Sequence, residues 1–281
     1  MKLFLNAGFG ALLGRETLAK IKGLGFSGVR QDVLRPEGAE GLVEELYAVG
    51  LGGLFIVRDV RTALFTAEAA HLLPGMAIEF GNEEDSKQTP KAYHRWLMEA
   101  VEAACDGSPT APPRGVSLFT AGITTTDRKR LDWLREVYAL GVPSYVHTAI
   151  HTYRTTVEPW VPHKGFRSRA EEYRAVREII GPRRRLIVSE VGWHTAPSIH
   201  RYGPFGLFGR RVQLTDADVA RYAVEECRIA AANGVEALTY FQLNDGADPT
   251  QYEHRFGVQR LDGTLKPVAV ALKAWSEAQR V

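Results

Sequence analysis

The sequence has little of several features that define protein classes. It contains two cysteines, Cys105 and Cys227, in 281 residues. Both fall in predicted helices without the spacing of zinc ligands, so we expect buried thiols and no metal site. No run reaches the roughly 18 consecutive apolar residues that a membrane span needs, so no membrane partner is expected. The net charge of +2 is too small to favour nucleic acid as a partner.

The amino terminus lacks a clear targeting signal. The opening run MKLFLNAGFGALLGRE has one basic residue before its apolar part, an early Asn6 and no small-x-small cleavage site. We interpret this run as a first strand and expect a cytoplasmic protein, or a secreted one if a leader has been removed. No Gly-x-Gly-x-x-Gly follows that strand, so no dinucleotide cofactor is expected.

The chain does contain short β-rich runs that alternate with amphipathic helical segments, the pattern of a parallel sheet wrapped by helices. The predicted strands are Lys2–Ala7, Gly28–Val33, Leu54–Arg58, Met76–Gly81, Val116–Ala121, Tyr145–Tyr153, Leu186–Gly192 and Ala237–Leu243. An open doubly wound sheet would show the same alternation. Eight β/α units in 281 residues match a closed barrel better, so we predict an α/β fold, a (β/α)8 TIM barrel with one domain over residues 1–281.

Polar residues at the carboxyl ends of two strands are candidates for catalysis, because chemistry in such barrels lies at that end. The fourth strand ends IEFGNEED, which places Asn82 and Glu83 at its mouth, and the seventh ends LIVSEVGW, which places Glu190 there. Taken singly, each glutamate could equally be a structural partner of an arginine. Taken together, they predict glycoside hydrolysis, in which one carboxyl protonates the leaving oxygen and the other attacks the anomeric carbon or activates water.

These residues resemble clan A of the retaining glycoside hydrolases, which carry Asn-Glu on the fourth strand and a lone Glu on the seventh. The resemblance covers the whole barrel. It implies that Glu83 is the acid/base, that Glu190 is the nucleophile, and that Asn82 contacts the sugar 2-hydroxyl. Glu84 stands where proline is frequent in the clan, which points to an unusual subfamily.

Three further residues are similar to the clan's supporting groups. The sixth strand ends AIHTYR, where His151 and Tyr153 resemble the His-x-Tyr pair whose tyrosine hydroxyl holds the nucleophile. Arg30, in GFSGVRQDV, resembles the arginine that steadies the nucleophile and keeps it ionised.

The closing segment, TYFQLNDGADPTQYEHRFGVQRLDGTLKPVAVAL, resembles that of several clan A families, including those near glycoside hydrolase family 39. Tyr240 stands where many relatives place a tryptophan as the sugar platform. Tyr240, Trp193 and Phe241 are therefore candidates for the residue that stacks on the sugar. His194 either touches the substrate or caps its loop.

The loops after the sixth and seventh strands are long, basic and aromatic, which suits either a solvated rim or a cleft for a sugar with a carboxylate or sulfate. Their residues of this kind are Arg154, Trp160, His163, Lys164, Phe166 and Arg167, and then His200, Arg201, Tyr202, Phe205, Phe208, Arg210 and Arg211. The expected partner is thus a glycoside, an oligosaccharide or a polysaccharide, neutral or anionic.

Three alternatives compete with a two-carboxylate hydrolase. A metal-dependent barrel hydrolase is disfavoured, because there is no His-x-His on the first strand and because His147 and His151 lie roughly 13 Å apart along their strand. A carbohydrate-binding barrel without catalysis would not need both glutamates. An interaction scaffold that uses the basic rim stays open.

Overall fold

The computed structural model describes residues 1–7, 13–35, 37–71, 75–105, 115–154, 157–202, 208–248 and 251–279, with the backbone alone at residues 37, 200–202, 208 and 210. Eight parallel strands close into a barrel. They are β1 (Lys2–Asn6), β2 (Gly28–Asp32), β3 (Gly52–Val57), β4 (Met76–Asn82), β5 (Val116–Gly122), β6 (Val146–His151), β7 (Leu186–Val191) and, after two strands outside the barrel, β8 (Ser198–Tyr202) and β9 (Phe208–Val212), β10 (Ala237–Tyr240). Their order around the barrel is β1-β10-β7-β6-β5-β4-β3-β2. The predicted (β/α)8 barrel is confirmed, and each predicted strand overlaps one barrel strand.

Helices follow the strands and cover the outside of the barrel. They are α1 (Arg15–Gly23), α2 (Glu37–Val49), α3 (Val60–Ala70), α4 (Pro90–Ala104), α5 (Arg128–Ala139), α6 (Arg169–Ile180), α7 (Asp216–Ala232) and α8 (Pro267–Ala278). A capping box between Thr215 and Asp218 begins α7. Cys105 and Cys227 are buried thiols, as expected, and neither forms a disulfide. Among the described residues, no helix is both long and apolar enough to cross a bilayer.

A hairpin interrupts the seventh β/α connection, where the sequence predicted only a long loop. Strands β8 (Ser198–Tyr202) and β9 (Phe208–Val212) pair antiparallel outside the barrel. These strands are short and form a separate sheet outside the barrel. Their apolar and polar residues therefore gave no clear strand periodicity in the sequence.

The barrel interior carries an apolar layer below a polar one. Phe4, Leu54, Phe119, Ala149 and Ile187 form a buried cluster, with Ala77 packed against it. Residues two apart on a strand share a face. The next inward positions on β4, β6 and β7 are therefore Glu79, His151 and Ser189, which places polar groups toward the carboxyl ends of the strands.

Candidate active site

Arg30 on β2 is the centre of the polar layer. Its side chain is fully buried, and its Nε donates to Glu79 Oε2 at 2.6 Å. One terminal nitrogen donates to Asn82 Oδ1 at 2.7 Å, and the other donates to Glu190 Oε1. Arg30 thereby ties β2 to β4 and β7, and it places a positive charge beside the predicted nucleophile.

A third carboxylate, Glu79, was missed by the sequence reasoning. It is fully buried on β4, and its Oε1 accepts from Gly122 N–H and from the Ser189 hydroxyl, each at 2.9 Å. A charged residue inside the apolar run MAIEF was a usable signal, because buried glutamates are rare unless paired. Its position three residues before Asn82, and not at the strand end, concealed it.

Glu190 faces the barrel interior because β7 contains a bulge. Ile150 and His151 on β6 pair with Val188 and Glu190, so β7 has one extra residue between these pairs. The register against β10 shifts at the same place. A bulge re-aims the side chain that follows it, so Ser189 and Glu190 both contact inward partners although they are adjacent in sequence.

The environment of Glu190 favours its ionised form. Its Oε2 accepts from the Tyr153 hydroxyl at 2.6 Å. Burial alone would raise the pKa of Glu190, but the nearby charges of His151 and Arg30 and the hydrogen bonds from Tyr153 and Arg30 lower it below its ordinary value. Glu190 is thus held as a carboxylate, the state that nucleophilic attack requires.

Glu83 lies across from Glu190 and is more accessible. It follows β4 in a left-handed conformation, with φ 56°, which is uncommon for residues other than glycine and turns the chain at the strand mouth. The Glu83 side chain is 32% exposed, against 8% for Glu190. Its Oε1 lies 3.2 Å from Nδ1 of His151. The partly exposed carboxylate of Glu83 and the buried carboxylate of Glu190 therefore lie close together.

One candidate metal site is found among the described residues. It consists of Glu83, His151 and Glu190, whose possible ligand atoms all lie within 4.8 Å of one another. The hydrogen bonds argue against that use. Both oxygens of Glu190 accept from donors, Arg30 and Tyr153, and a cation would have to displace a guanidinium of the same charge. The arrangement fits a hydrogen-bonded pair of carboxylates better.

The two carboxylates open into a cavity of about 840 Å³, a size that suits a small ligand. Asn82, Glu83, Tyr153 and Glu190 form its floor. The opposite wall comes from the segment after β10, namely Phe241, Gln242, Leu243, Asn244, Asp245, Gly246, Tyr252, Glu253, His254 and Phe256. The closing segment that the resemblance singled out therefore lines the cavity beside the two glutamates.

Two of the three candidates for the stacking residue, Trp193 and Tyr240, are buried in the core. Trp193 is fully buried, and its Nε1–H donates to the Val157 carbonyl at 2.9 Å. Tyr240 is 1% exposed, and neither side chain lines the cavity. A residue that stacks on a sugar needs an exposed ring face, and the rings of Trp193 and Tyr240 are packed in the core. Phe241 does line the cavity, together with Tyr252, which sequence reasoning missed.

His194 lies behind the cavity wall. It is 3% exposed, and its ring packs on those of Tyr252 and Phe256 at centroid distances of 5.4 and 5.1 Å. Burial lowers its pKa, so the neutral ring is favoured. Within the described structure His194 supports the aromatic wall and is absent from the cavity lining, so a direct substrate contact stays a prediction.

The basic residues of the two long loops divide into described and undescribed groups. In the sixth loop, Arg154 is buried against Glu172, Lys164 donates to Thr125 at 2.6 Å, and burial lowers the pKa of His163 to about 4. None of these three lines the cavity. In the seventh loop, Arg211 is exposed. The side chains of His200, Arg201, Tyr202, Phe205, Phe208 and Arg210 lie outside the described part of the chain.

No family model and no curated protein matches the sequence, but solved structures share its fold. A family 39 glycoside hydrolase from the gut symbiont Bacteroides cellulosilyticus WH2 has a TM-score of 0.67 at 12% identity, over 98% of this chain and 63% of that one. A GH5_18 protein from Bifidobacterium longum subsp. longum ATCC 55813, in complex with Manb1-4GlcNAc, has a TM-score of 0.65 at 15% identity, over 100% of this chain and 78% of that one.

A b-glucuronidase from Ruminococcus gnavus, in complex with D-glucuronic acid, has a TM-score of 0.58 at 14% identity, over 98% of this chain and 49% of that one. The chain thus spans 63% of the length of the family 39 enzyme and about half of the glucuronidase. At these identities the likeness shows a shared fold. That fold is a TIM barrel, and among the proteins that share it is a glycoside hydrolase of the family that the closing segment resembles.

Proposed function

We propose that this protein is a retaining glycoside hydrolase that cleaves a β-glycosidic bond, with Glu190 as nucleophile and Glu83 as acid/base. The observation that carries the proposal is the contrast between two carboxylates at one cavity. Glu190 is buried and held ionised by Arg30 and Tyr153, whereas Glu83 is partly exposed beside His151. An oxygen of each lies within 4.8 Å of one of the other, which supports the short separation of retaining enzymes over the wider one of inverting enzymes.

The reaction follows from these two environments. Glu190 forms a bond to the anomeric carbon while the glycosidic C–O bond breaks and Glu83 transfers its proton to the leaving oxygen. The ionised Glu83 then takes a proton from water, whose oxygen attacks the anomeric carbon and releases Glu190. Asn82, which lines the cavity and accepts from Arg30, is placed for the sugar 2-hydroxyl contact that the clan resemblance implies.

A barrel that only binds carbohydrate is the second candidate. Binding alone would not need an ionised carboxylate kept in the barrel interior, since burying that charge carries a free-energy cost of several kcal/mol before pairing. The hydrogen bonds of Arg30 and Tyr153 to Glu190 offset this cost, and they leave the carboxylate facing the cavity. Catalysis by a nucleophile requires such an ionised carboxylate at the cavity, whereas sugar binding does not. This difference favours an enzyme over a protein that only binds carbohydrate.

For the charge of the sugar, we infer a preference for neutral glycosides, against the anionic substrate that the loops suggested. The charged side chains of the described lining are Glu83, Glu190, Asp245 and Glu253, with no lysine or arginine among them. Arg30 is fully buried behind its carboxylate partners. A uronic acid would therefore meet like charge, and the glucuronidase likeness concerns the fold.

The proposal is tested with Glu190→Ala and Glu83→Ala on a panel of chromogenic glycosides. Glu190→Ala should lower turnover by more than about 10³-fold, and azide should restore product with inverted configuration. Glu83→Ala should retain activity on substrates with good leaving groups, because these need no proton. Glu178→Ala, an exposed glutamate on α6, serves as the control. Wild-type rates in both site variants on a confirmed substrate would refute the mechanism.

A further inference from the structure

A cluster of four buried charged side chains lies between β6, α6 and α7, outside the cavity. Arg154, Arg169, Glu172 and Glu226 are each no more than 1% exposed. Arg169 pairs with Glu226 at 2.9 Å and also with Glu172, which pairs in turn with Arg154. Buried ion pairs are poor sources of stability compared with apolar packing, so the cluster calls for another role.

Opposite charges balance within the cluster. Burial would lower the pKa of Arg169, but the carboxylates of Glu226 and Glu172 outweigh it and raise that pKa. The Tyr173 hydroxyl donates to the remaining oxygen of Glu226. Two positive and two negative groups thus form one network that ties α6 and α7 to the residues after β6. Arg154 Nε has no hydrogen-bond partner, but the bonds of the other nitrogens restrain the side chains that they join.

The network reaches the segment that carries Tyr153. Arg169 donates through Nη2 to the Thr152 carbonyl at 2.5 Å, while the Thr152 N–H donates to the backbone carbonyl of Glu190 at 3.0 Å. Thr152 is therefore held from both sides, by α6 and by β7. The barrel ladder ends at His151, so the strand itself does not hold the residues that follow.

Arg154 holds the other side of Tyr153. Its guanidinium donates to the carbonyls of Glu158, at 3.3 Å, and Val161, and to Glu172 of the network. Tyr153 stands between two residues anchored to the same cluster. Its hydroxyl then donates to Glu190 Oε2 at 2.6 Å.

We propose that Arg169, held by Glu172 and Glu226, is a positioning residue that fixes the Thr152–Arg154 segment so that the Tyr153 hydroxyl is aimed at Glu190. The inference rests on the proposed function for its kinetic consequences. Glu190 is faced by Arg30 from β2, His151 from β6, Tyr153 from the segment after β6 and Glu83 from the position after β4, with Glu79 on the far side of Arg30. Of these groups, Tyr153 is the one that the network controls.

The test variants are Arg169→Lys and Glu226→Gln, and the control is Glu225→Gln. Glu225 is the neighbour of Glu226 on α7 and pairs at the surface with Arg228. Lysine keeps the charge but cannot span the carbonyl and two carboxylates. Both network variants should lower kcat/KM about tenfold and move the acidic limb of the pH profile upward by about 0.5–1 pH unit, because a weakened hydrogen bond stabilises the Glu190 carboxylate less. Glu225→Gln should do neither.

Tyr153→Phe supplies the second arm of the test. It should give the same shift of the limb, and adding Glu226→Gln to it should produce no further shift, since both act through one hydrogen bond. Lower thermal stability with an unmoved limb, or additive shifts in the double variant, would overturn the proposal. If Glu226→Gln does not fold, Tyr173→Phe removes one donor to Glu226 and should shift the limb by less in the same direction.

A readout without turnover separates this inference from the function. The titration of Glu190, followed by NMR of ¹³C-glutamate against matched Glu190→Gln proteins, should move upward in the network variants whether or not a glycoside is hydrolysed. An unchanged titration would defeat the positioning role. An upward shift in a protein that cleaves no glycoside would keep that role and defeat the glycosidase.

Discussion

Arg30 determines the charge balance of the site, because two buried carboxylates share its guanidinium. Burial would lower the pKa of Arg30, but Glu79 and Glu190 outweigh that effect and raise it. Arg30 therefore stays charged, and Glu190 stays ionised beside it. Glu79 also accepts from β5 and β7, so it fixes the guanidinium in place.

Replacing Arg30 with Met should destabilise the fold, because it leaves Glu79 and Glu190 buried without their cation. We expect a loss of about 3–5 kcal/mol in the free energy of unfolding at pH 7, measured by denaturant titration. Arg135→Met, which breaks an exposed pair with Asp132, is the matched control and should change little.

The pH dependence of that loss has a defined sign. The folded-state pKa of Glu190 is lowered, so in the wild type its contribution to stability is present above the unfolded pKa and is lost as the pH falls through the folded one. In Arg30→Met the Glu190 carboxylate takes up a proton as the pH falls, so the difference from wild type should shrink below about pH 5. A difference independent of pH would show that packing and not charge accounts for the loss.

At the scale of elements, two local backbone departures bring the glutamates together. The β7 bulge turns Glu190 inward. The left-handed backbone of Glu83 turns the chain at the barrel mouth after β4. The segment after β10 then closes the cavity. It is held by a buried pair in which Lys266 Nζ donates to Asp245 Oδ1 at 2.8 Å and to the Arg255 carbonyl at 3.2 Å.

Lys266→Met should loosen this closing segment. Asp245, 4% exposed, would lose its nearer cation and keep only Arg255, at 4.0 Å. We expect a loss of about 3 kcal/mol in the free energy of unfolding together with a raised KM, since Asp245 and its neighbours line the cavity. Lys273→Met, on the exposed side of α8, is the control. A stability equal to that of the control would mean that the pair does not hold the segment.

Elements with a strong periodic signal were predictable, and their irregularities were not. All eight barrel strands follow from apolar runs, and Glu83 and Glu190 follow from their places at strand ends. The sequence could not show the β7 bulge, which depends on pairing with β6 and β10, nor the burial of Trp193 and Tyr240, which depends on how β10 packs. A predicted sixth strand through Tyr153 was too long, because the strand ends at His151 and the Thr152 carbonyl accepts from Arg169.

At the scale of the whole molecule, no lysine or arginine of the described residues lines the cavity. The chain has a net charge of +2, yet the described cavity lining carries carboxylates and no lysine or arginine. Several arginines in the described structure serve internal contacts, as Arg30, Arg154 and Arg169 do. The number of arginines is therefore a poor guide to the charge of the described cavity lining.

Matched substrates measure this preference directly. We expect kcat/KM for a neutral glycoside to exceed that for the corresponding glucuronide by about tenfold or more at low salt, since one repulsive contact of about 1.4 kcal/mol is a factor of ten. Glu253→Gln should narrow the gap, because Glu253 lines the cavity and is exposed. A glucuronide preference that disappears in Arg201→Gln or Arg210→Gln would restore the anionic substrate.

Trapping of the covalent intermediate tests the central claim most directly. The protein is incubated with a set of 2-deoxy-2-fluoro β-glycosides that carry a good leaving group, and the modified residue is then located by peptide mass spectrometry. A retaining mechanism with Glu190 as nucleophile predicts one glycosyl adduct per chain, on the peptide that contains Glu190, and none in Glu190→Gln. An adduct on Glu83 or elsewhere, or hydrolysis of the parent glycoside with inverted product and no adduct, would contradict the account.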